Sequence, residues 1–483
     1  MRKTKIVCTM GPNEQDDSIL QELIKEMDVA RFNFSHGTHD SQLEMMKKVR
    51  AAAEEIGRPV ATLLDTKGPE IRTGLLEGHE PVVLKKGSKT LMSPMYDNNY
   101  IEGTAEHLYV SYDKLADDVS VGTTILVDDG SIELKVEEIQ DRDVLCSVVN
   151  GGIVGERKGV NIPGRSVSLP DLTEKDLDDI SFGIENGFDY IAASFVRNAE
   201  TINKIREMIR TAEAYTGIIA KIESKEGIDN LDEILDAADG IMVARGDLGV
   251  EIEAHKIPQL QREVIAKCNA KGKVVITATQ MRDSMIRNPR PTRAEVTDVA
   301  NAVYNGSDAV MLSGETANGN YPVEALKMMA EIAEYTEQYA KTDTIHAATE
   351  SPISDTTCMA AVTAAKELEA RAIITPTTSG ITALEVSKCR PASEIYAFSP
   401  NPGTVRQMML FWGVRPILAE RAHSTDELME DCLDIIRENK FADNGDILVF
   451  VAGVVAGRHS YQRSVTNSMR IIQLEDYESF HGN

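Results

Sequence analysis

The stretch GIMVARGDLGVEI, Gly240–Ile252, begins with apolar strand residues and ends that strand on Arg245, Gly246 and Asp247. An apolar strand that delivers an acid at a glycine turn is informative only if its end is a site. Arg-Gly-Asp also matches a cell-adhesion tripeptide, and such triplets arise by chance. The place of the triplet in the chain therefore decides.

Working outward, the segment Ile241–Ala244 is one of eight short apolar runs. The others are Lys5–Thr9, Val29–Ser35, Val60–Thr66, Tyr190–Val196, Ile218–Glu223, Val274–Gln280 and Ala309–Glu315. Helical patterns separate most of them. In PTRAEVTDVANAVYNG, Thr292 and Glu295 make a capping box, Val296, Val299, Ala300 and Val303 recur at helical spacing, and Gly306 suits the C-terminal end. Alternating strand and helix means a parallel sheet covered by helices, and eight repeats mean a closed (β/α)8 TIM barrel. The third repeat departs from the pattern. After LLDTKGPEIRTG comes a long stretch rich in Val, Gly and Asp, including the hairpin pattern TILVDDGSIELKV with Asp129–Gly130 in its turn. The predicted organisation is a barrel from residues 1–69 and 170–343, an inserted β-rich, barrel-like lid at 70–169, and a C-terminal open α/β domain at 344–483. The composition shift at KTDTIHAATESPISD marks the second boundary.

Composition excludes several classes. Hydrophobic residues make up 42% and charged residues 27%, values of an ordinary globular protein. No apolar run approaches the ~20 residues of a membrane span, and the N-terminus lacks a secretory core, so a cytoplasmic location is expected. The six cysteines form no CxxC pair and read as packed, reduced thiols. A formal net charge of −26 repels nucleic acid and anionic lipid. Anionic ligands would need a local cationic pocket against that field.

The strand ends supply one. Strand side chains alternate, so Arg31, Asn33 and Ser35 share a face and point into the barrel, while Phe32 and Phe34 face the helices. Lys221 and Glu223 likewise share a face. A lysine inside a barrel is costly unless paired or solvated, and a pair that merely fills space is the plain alternative. Glu223 ends the fifth strand and Asp247 follows the sixth; with strands ~4.8 Å apart, the two carboxylates can share one hard cation such as magnesium. Gly246 admits close backbone approach. Thr279, Ser313 and Glu315 add hydroxyl and proton-transfer groups at the same C-terminal mouth.

Across nearly its whole length the chain resembles the pyruvate kinase family. The carrying motifs are KIVCTMGP, ARFNFSHG, LLDTKGPEIRTG, KGVNIPG, AKIESKEG, DGIMVARGDLGVE, ATQMRDSMI, NPRPTRAEVTDVANAV and DAVMLSGETANGNYP, in family order. The resemblance implies phosphoryl transfer from phosphoenolpyruvate to ADP, giving pyruvate and ATP, within a homotetramer of barrel, mobile lid and regulatory domain. It implies Glu223 and Asp247 as ligands of Mg2+ (or Mn2+), and Lys221 as the cation on the phosphoryl group. Arg31 and Arg72 become phosphate contacts, and Gly246, Asp247 and Thr279 the cradle of the substrate carboxylate. Asn33, His36, Arg72 and Lys158 become nucleotide contacts, and Asn33, Ser35, Asp65 and Thr66 a K+ site. Thr279 or Ser313 belongs to the proton-delivery region. DTKGPEIRT resembles the potassium-dependent branch, since potassium-independent members tend to carry lysine where this chain has Glu70.

In the C-terminal domain, TPTTSGITALEVSKCRP places Thr377, Thr378, Ser379, Gly380 and Thr382 in a hydroxyl-rich turn before a helix. That is either an ordinary cap or a phosphate nest. The resemblance favours an effector loop for a sugar phosphate or AMP, to which Arg458, His459 and Arg463 of a second loop add charge. No phosphohistidine-type extension is expected after SFHGN. Two rivals remain open. One is a barrel lyase acting on phosphoenolpyruvate or a 2-oxo acid without nucleotide; the other is a non-catalytic sugar-phosphate sensor.

Overall fold

The computed structural model describes residues 2–95, 101–340, 351–421, 424–453 and 465–474. Eight parallel strands close into a barrel in the order of the chain: Lys5–Thr9, Val29–Asn33, Ala61–Asp65, Tyr190–Ala193, Gly217–Ile222, Gly240–Ala244, Val274–Ala278 and Ala309–Leu312. The eighth pairs back onto the first through Lys5↔Ala309 and its successors. All eight predicted runs are strands, but most end one to three residues early. The backbone explains this: Phe195, Thr279 and Gln280 have φ of +52°, +67° and +53°, so the chain leaves extended conformation at the mouth. Ser35 consequently sits in a turn beyond Asn33 rather than on the strand face.

The alternation in ARFNFS holds up to that point. Phe32 packs edge-on against Phe188 at 5.4 Å between the strands and their covering helices. The barrel interior is itself a packed core of Val7, Val29, Leu63, Ile219, Met242 and Ile276, with their neighbours. Met409 and Leu410 from the C-terminal region join that cluster, which leaves the C-terminal mouth as the open end. The helix at Arg293–Tyr304 starts at Thr292 with the predicted capping box to Glu295, and Gly306 takes φ +92° just past its end.

Between the third and fourth barrel strands the chain builds a seven-stranded sheet and a small two-stranded one around their own apolar cluster, which includes Ile125, Val127, Leu134 and Val144. Strands Thr124–Val127 and Ile132–Gln140 form the predicted hairpin, closed by a four-residue turn with Asp128, Asp129 and Gly130 all at positive φ. This sheet stands against the barrel mouth. Asn161 Nδ2 donates to Glu251 Oε1 at 3.1 Å, and Ser166 Oγ to Glu226 Oε2 at 3.0 Å. The C-terminal sheet runs Val414–Leu418, Glu394–Ser399, Ala372–Pro376, Ile447–Ala452, Ser468–Gln473, with only the last strand antiparallel. It is fixed beneath the barrel by ion pairs, Arg406 to Asp189 at 2.9 Å and Arg390 to Asp308 at 2.8 Å. All six cysteines are buried free thiols. No helix among the described residues is long and apolar enough to cross a membrane.

One buried acid makes the fold pH-sensitive. Glu14 is fully buried; one carboxylate oxygen accepts from Gly11 N at 2.6 Å and the other has no partner. Burial pushes its pKa up from 4.5 to about 8, against the Gly11 N–H and the nearby Lys48. Between those values the folded chain holds a proton that the unfolded chain has released, so stability falls as pH rises from about 4.5 to 8. The full shift corresponds to about 5 kcal/mol. Glu14→Gln is therefore expected to be more stable than the parent at pH 8 and to lose that advantage by pH 5, read from urea midpoints. A difference that does not change with pH would show that Glu14 is ionised in the fold.

Candidate active site

Three strand ends bring charge together at the mouth. Lys221, next to last on the fifth strand, places Nζ 2.9 Å from Asp65 Oδ1, 2.7 Å from Ser194 Oγ and 3.1 Å from Glu223 Oε1. Arg31 on the second strand places Nε 2.6 Å from Asp65 Oδ2 and donates through Nη1 to Thr9 Oγ1 at 2.9 Å. Asp65 is thus a buried hub between two cations. Burial opposes its charge, but Arg31 and Lys221 hold its pKa below the usual range. Burial also works against the Lys221 ammonium, yet Asp65 and Glu223 outweigh it and raise its pKa.

Glu223 is 1% exposed in its side chain, and its Oε2 accepts from Phe195 N at 2.6 Å. Burial, with the neighbouring Asp247 charge, pushes its pKa up despite Lys221. Asp247 is likewise raised by burial and interacts directly with Glu223. Two carboxyls that resist ionising together mark a place short of positive charge. Among the described residues no group of three or more His, Cys, Asp or Glu side chains is arranged to hold a metal ion. The donor set here is two carboxylates.

A short helix follows the sixth strand at Arg245–Glu251. Its Gly246 N–H is taken up by Thr279 Oγ1 at 2.7 Å, and the same hydroxyl donates to Ala278 O at 2.7 Å. Thr279 therefore faces Gly246 and Asp247 across adjacent strand ends. Glu315 was expected as a proton-transfer group, but it is tied down. Its oxygens accept from Arg282 N at 3.0 Å and Ser313 N at 2.7 Å, so it fastens the seventh and eighth loops to each other.

A cleft of about 580 Å³ runs between the inserted sheet and the mouth, lined by Glu70, Arg72, Asp128, Lys158, Phe195 and Asp247 among others. Arg72 Nε pairs with Glu70 at 2.8 Å and Lys158 Nζ with Asp128 at 2.9 Å. Asn33 and Asp65 are direct neighbours in the register of the second and third strands. Asn33 Oδ1 accepts from Ser35 N at 3.0 Å, and Thr66 Oγ1 from Ser194 N at 3.1 Å. His36 is exposed on the following turn. Sequence reasoning missed Ser194, although it is a strand-end hydroxyl of the kind that drew attention to Thr279 and Ser313. It also missed Phe195, whose backbone N–H bond to Glu223 depends on a left-handed turn that no residue pattern announces.

The C-terminal loop is more committed than its composition suggests. Thr377 Oγ1 accepts from Gly380 N at 3.0 Å, and Thr382 Oγ1 pairs with Thr466 Oγ1 at 2.9 Å in the interior. Thr378 and Ser379 are exposed. Arg458, His459 and Arg463 lie outside the described residues.

Fold and site together define a (β/α)8-barrel enzyme whose centre sets fixed cations beside a carboxylate pair under an inserted β-sheet. The family model for the pyruvate kinase barrel domain matches residues 1–326, and that for the pyruvate kinase alpha/beta domain matches 355–472. A pyruvate kinase of Geobacillus stearothermophilus is 48% identical over 98% of this chain and 81% of its own length. One from Staphylococcus epidermidis is 45% identical over 99% of this chain and 81% of its own. The solved structure of a pyruvate kinase from Cryptosporidium parvum superposes with a TM-score of 0.89 at 39% identity, covering 98% of this chain and 96% of that one. The chain belongs to the pyruvate kinase family. Its reaction is the glycolytic transfer of the phosphoryl group of phosphoenolpyruvate to ADP, giving pyruvate and ATP, and the lyase alternative finds no support.

Proposed function

We propose that this transfer runs at the barrel mouth with the following division of labour. Lys221 neutralises the phosphoryl oxygens in transit, and Arg31 and Arg72 hold the phosphate. Gly246, Asp247 and Thr279 cradle the substrate carboxylate. Asn33, His36, Arg72 and Lys158 meet the nucleotide, with Lys158 reaching across from the lid. Thr279 and Ser313 are the two candidates for proton delivery to enolpyruvate. The observation that carries this reading is the Lys221 ammonium, held by Asp65, Ser194 and Glu223 at 3.1 Å or less in a buried site. Phosphoryl transfer asks a protein for position and charge rather than covalent chemistry, and fixed cations in a dry site supply both without reorganising.

Glu223 and Asp247 would hold Mg2+ or Mn2+. The donor set fits, because burial raises both carboxyls and a divalent cation answers the missing charge. Magnesium takes few protein oxygens and completes its shell from substrate and water. When bound, the ion supplies further neutralisation of phosphate charge. Glu223→Gln and Asp247→Asn are each expected to raise the magnesium concentration for half-maximal activity sharply. A magnesium titration of turnover tests this, and an unchanged curve in both variants rejects the shared site.

Asn33, Ser35, Asp65 and Thr66 would hold K+. Residues 1–69 with 170–343 form the catalytic barrel, 70–169 the lid that excludes water from the transfer, and 344–483 the regulatory domain. Within the last, Thr378 and Ser379 offer free hydroxyls beside Thr377, Gly380 and Thr382 for a sugar phosphate or AMP. The working assembly is a cytoplasmic homotetramer.

A further inference from the structure

We infer that Arg245 is a positioning residue for the reaction: its guanidinium clamps a left-handed turn at the end of the seventh strand and so holds the Thr279 hydroxyl in its working place. Arg245 is the first residue of the helix after the sixth strand, and its side chain is 11% exposed. It reaches sideways to the neighbouring strand. Nε donates to Ala278 O at 3.2 Å and Nη2 to Thr279 O at 2.7 Å, two successive carbonyls. Nη2 also lies 2.8 Å from Met281 Sδ. Nη1 is fixed by Asp298 Oδ1 at 2.7 Å and Gln261 Oε1 at 3.3 Å, on two of the outer helices.

The clamp acts on unusual backbone. Thr279 and Gln280 are consecutive non-glycine residues at φ +67° and +53°. For the β-branched Thr279 that conformation is a steric outlier, and such turns persist only where the surroundings over-determine them. Further along the loop, the surroundings are Glu315 on Arg282 N and Glu295 on Ser284 N. At residues 278 and 279 they are the Arg245 fork. The turn sets where the Thr279 hydroxyl points: Oγ1 meets Gly246 N at 2.7 Å, one residue from Asp247. A planar guanidinium serves two carbonyls and a carboxylate at once in fixed geometry, which an ammonium on a flexible stem does not. Arg245 thereby couples the sixth and seventh strand ends into one rigid unit.

This inference rests on the reading of Thr279 as part of the substrate cradle, and the test separates the two. Arg245→Met, Arg245→Lys, Thr279→Ala and the double variant Arg245→Met/Thr279→Ala are assayed as full-length enzymes, with phosphoenolpyruvate and magnesium titrated independently. Displacement of a positioned group by about 1 Å costs on the order of 10²-fold. The expected result is a loss of that order in kcat/KM for phosphoenolpyruvate in Arg245→Met and a smaller loss in Arg245→Lys. The magnesium curve stays in place in both, because Glu223 and Asp247 remain. The double variant is no worse than Thr279→Ala within about threefold, since the clamp has nothing left to position. Thr279→Ala with normal kinetics would overturn the reading of Thr279 and this inference with it. An impaired Thr279→Ala beside a normal Arg245→Met, losses that multiply in the double variant, or a displaced magnesium curve in Arg245→Lys would overturn the inference alone.

Discussion

Lys221→Met is expected to lower turnover by roughly 10²–10³-fold, the usual loss when one preorganised charge is removed from an active site. Its ammonium is the cation nearest the carboxylate pair, and side-chain exposures of 10% for Lys221 and 1% for Asp65 and Glu223 keep screening small. The loss should fall on phosphoryl transfer; proton exchange into pyruvate, which requires no transferring phosphoryl group, should suffer less. Near-normal turnover in Lys221→Met would remove Lys221 from the role assigned to it.

The second large effect is a potassium requirement. In buffer free of sodium and potassium, with tetramethylammonium as the only monovalent cation, activity should be low and should rise on adding potassium. The oxygens proposed for the ion stand on two adjacent strand ends, with Asn33 opposite Asp65 in register and Ser35 and Thr66 just beyond. Glu70 is the residue that separates this chain from potassium-independent members in the resemblance, and it pairs with Arg72 at 2.8 Å. A fixed ammonium at position 70 could replace a bound cation in neutralising phosphate; a glutamate there adds negative charge instead. Glu70→Lys should lessen the dependence. It also releases Arg72, so a change in the affinity for phosphoenolpyruvate or ADP is expected alongside. Full activity before potassium is added would refute the requirement.

Much of the site was legible because it lies on strands. A period of two fixes which residues point inward, so Arg31 and Lys221 could be placed at the mouth from ARFN and AKIE alone. The eight-fold alternation then made the sixth and fifth strands neighbours, which put Asp247 beside Glu223. The hairpin at Asp129–Gly130 and the capped helix at Thr292 followed from local chemistry, in which a turn or cap residue acts on backbone a few positions away.

Loops were a different matter. Arg245 could be read as a strand-end cation, but not as the clamp on Ala278 and Thr279, because its partners are more than thirty positions distant. Glu315 looked like an available acid, yet two backbone N–H groups hold it. Ser35 looked like the third member of a strand face, yet the chain turns at Asn33. Thr382 looked free to meet an effector and is bonded to Thr466. In each case the sequence by itself determined which residues gather at an end of the barrel or domain, through periodicity and short-range backbone preference. Only the tertiary structure decided which polar atoms are spent on holding loops and which remain for a ligand, because a buried donor or acceptor takes whatever partner the packed fold brings within about 3 Å, however far away it lies along the chain.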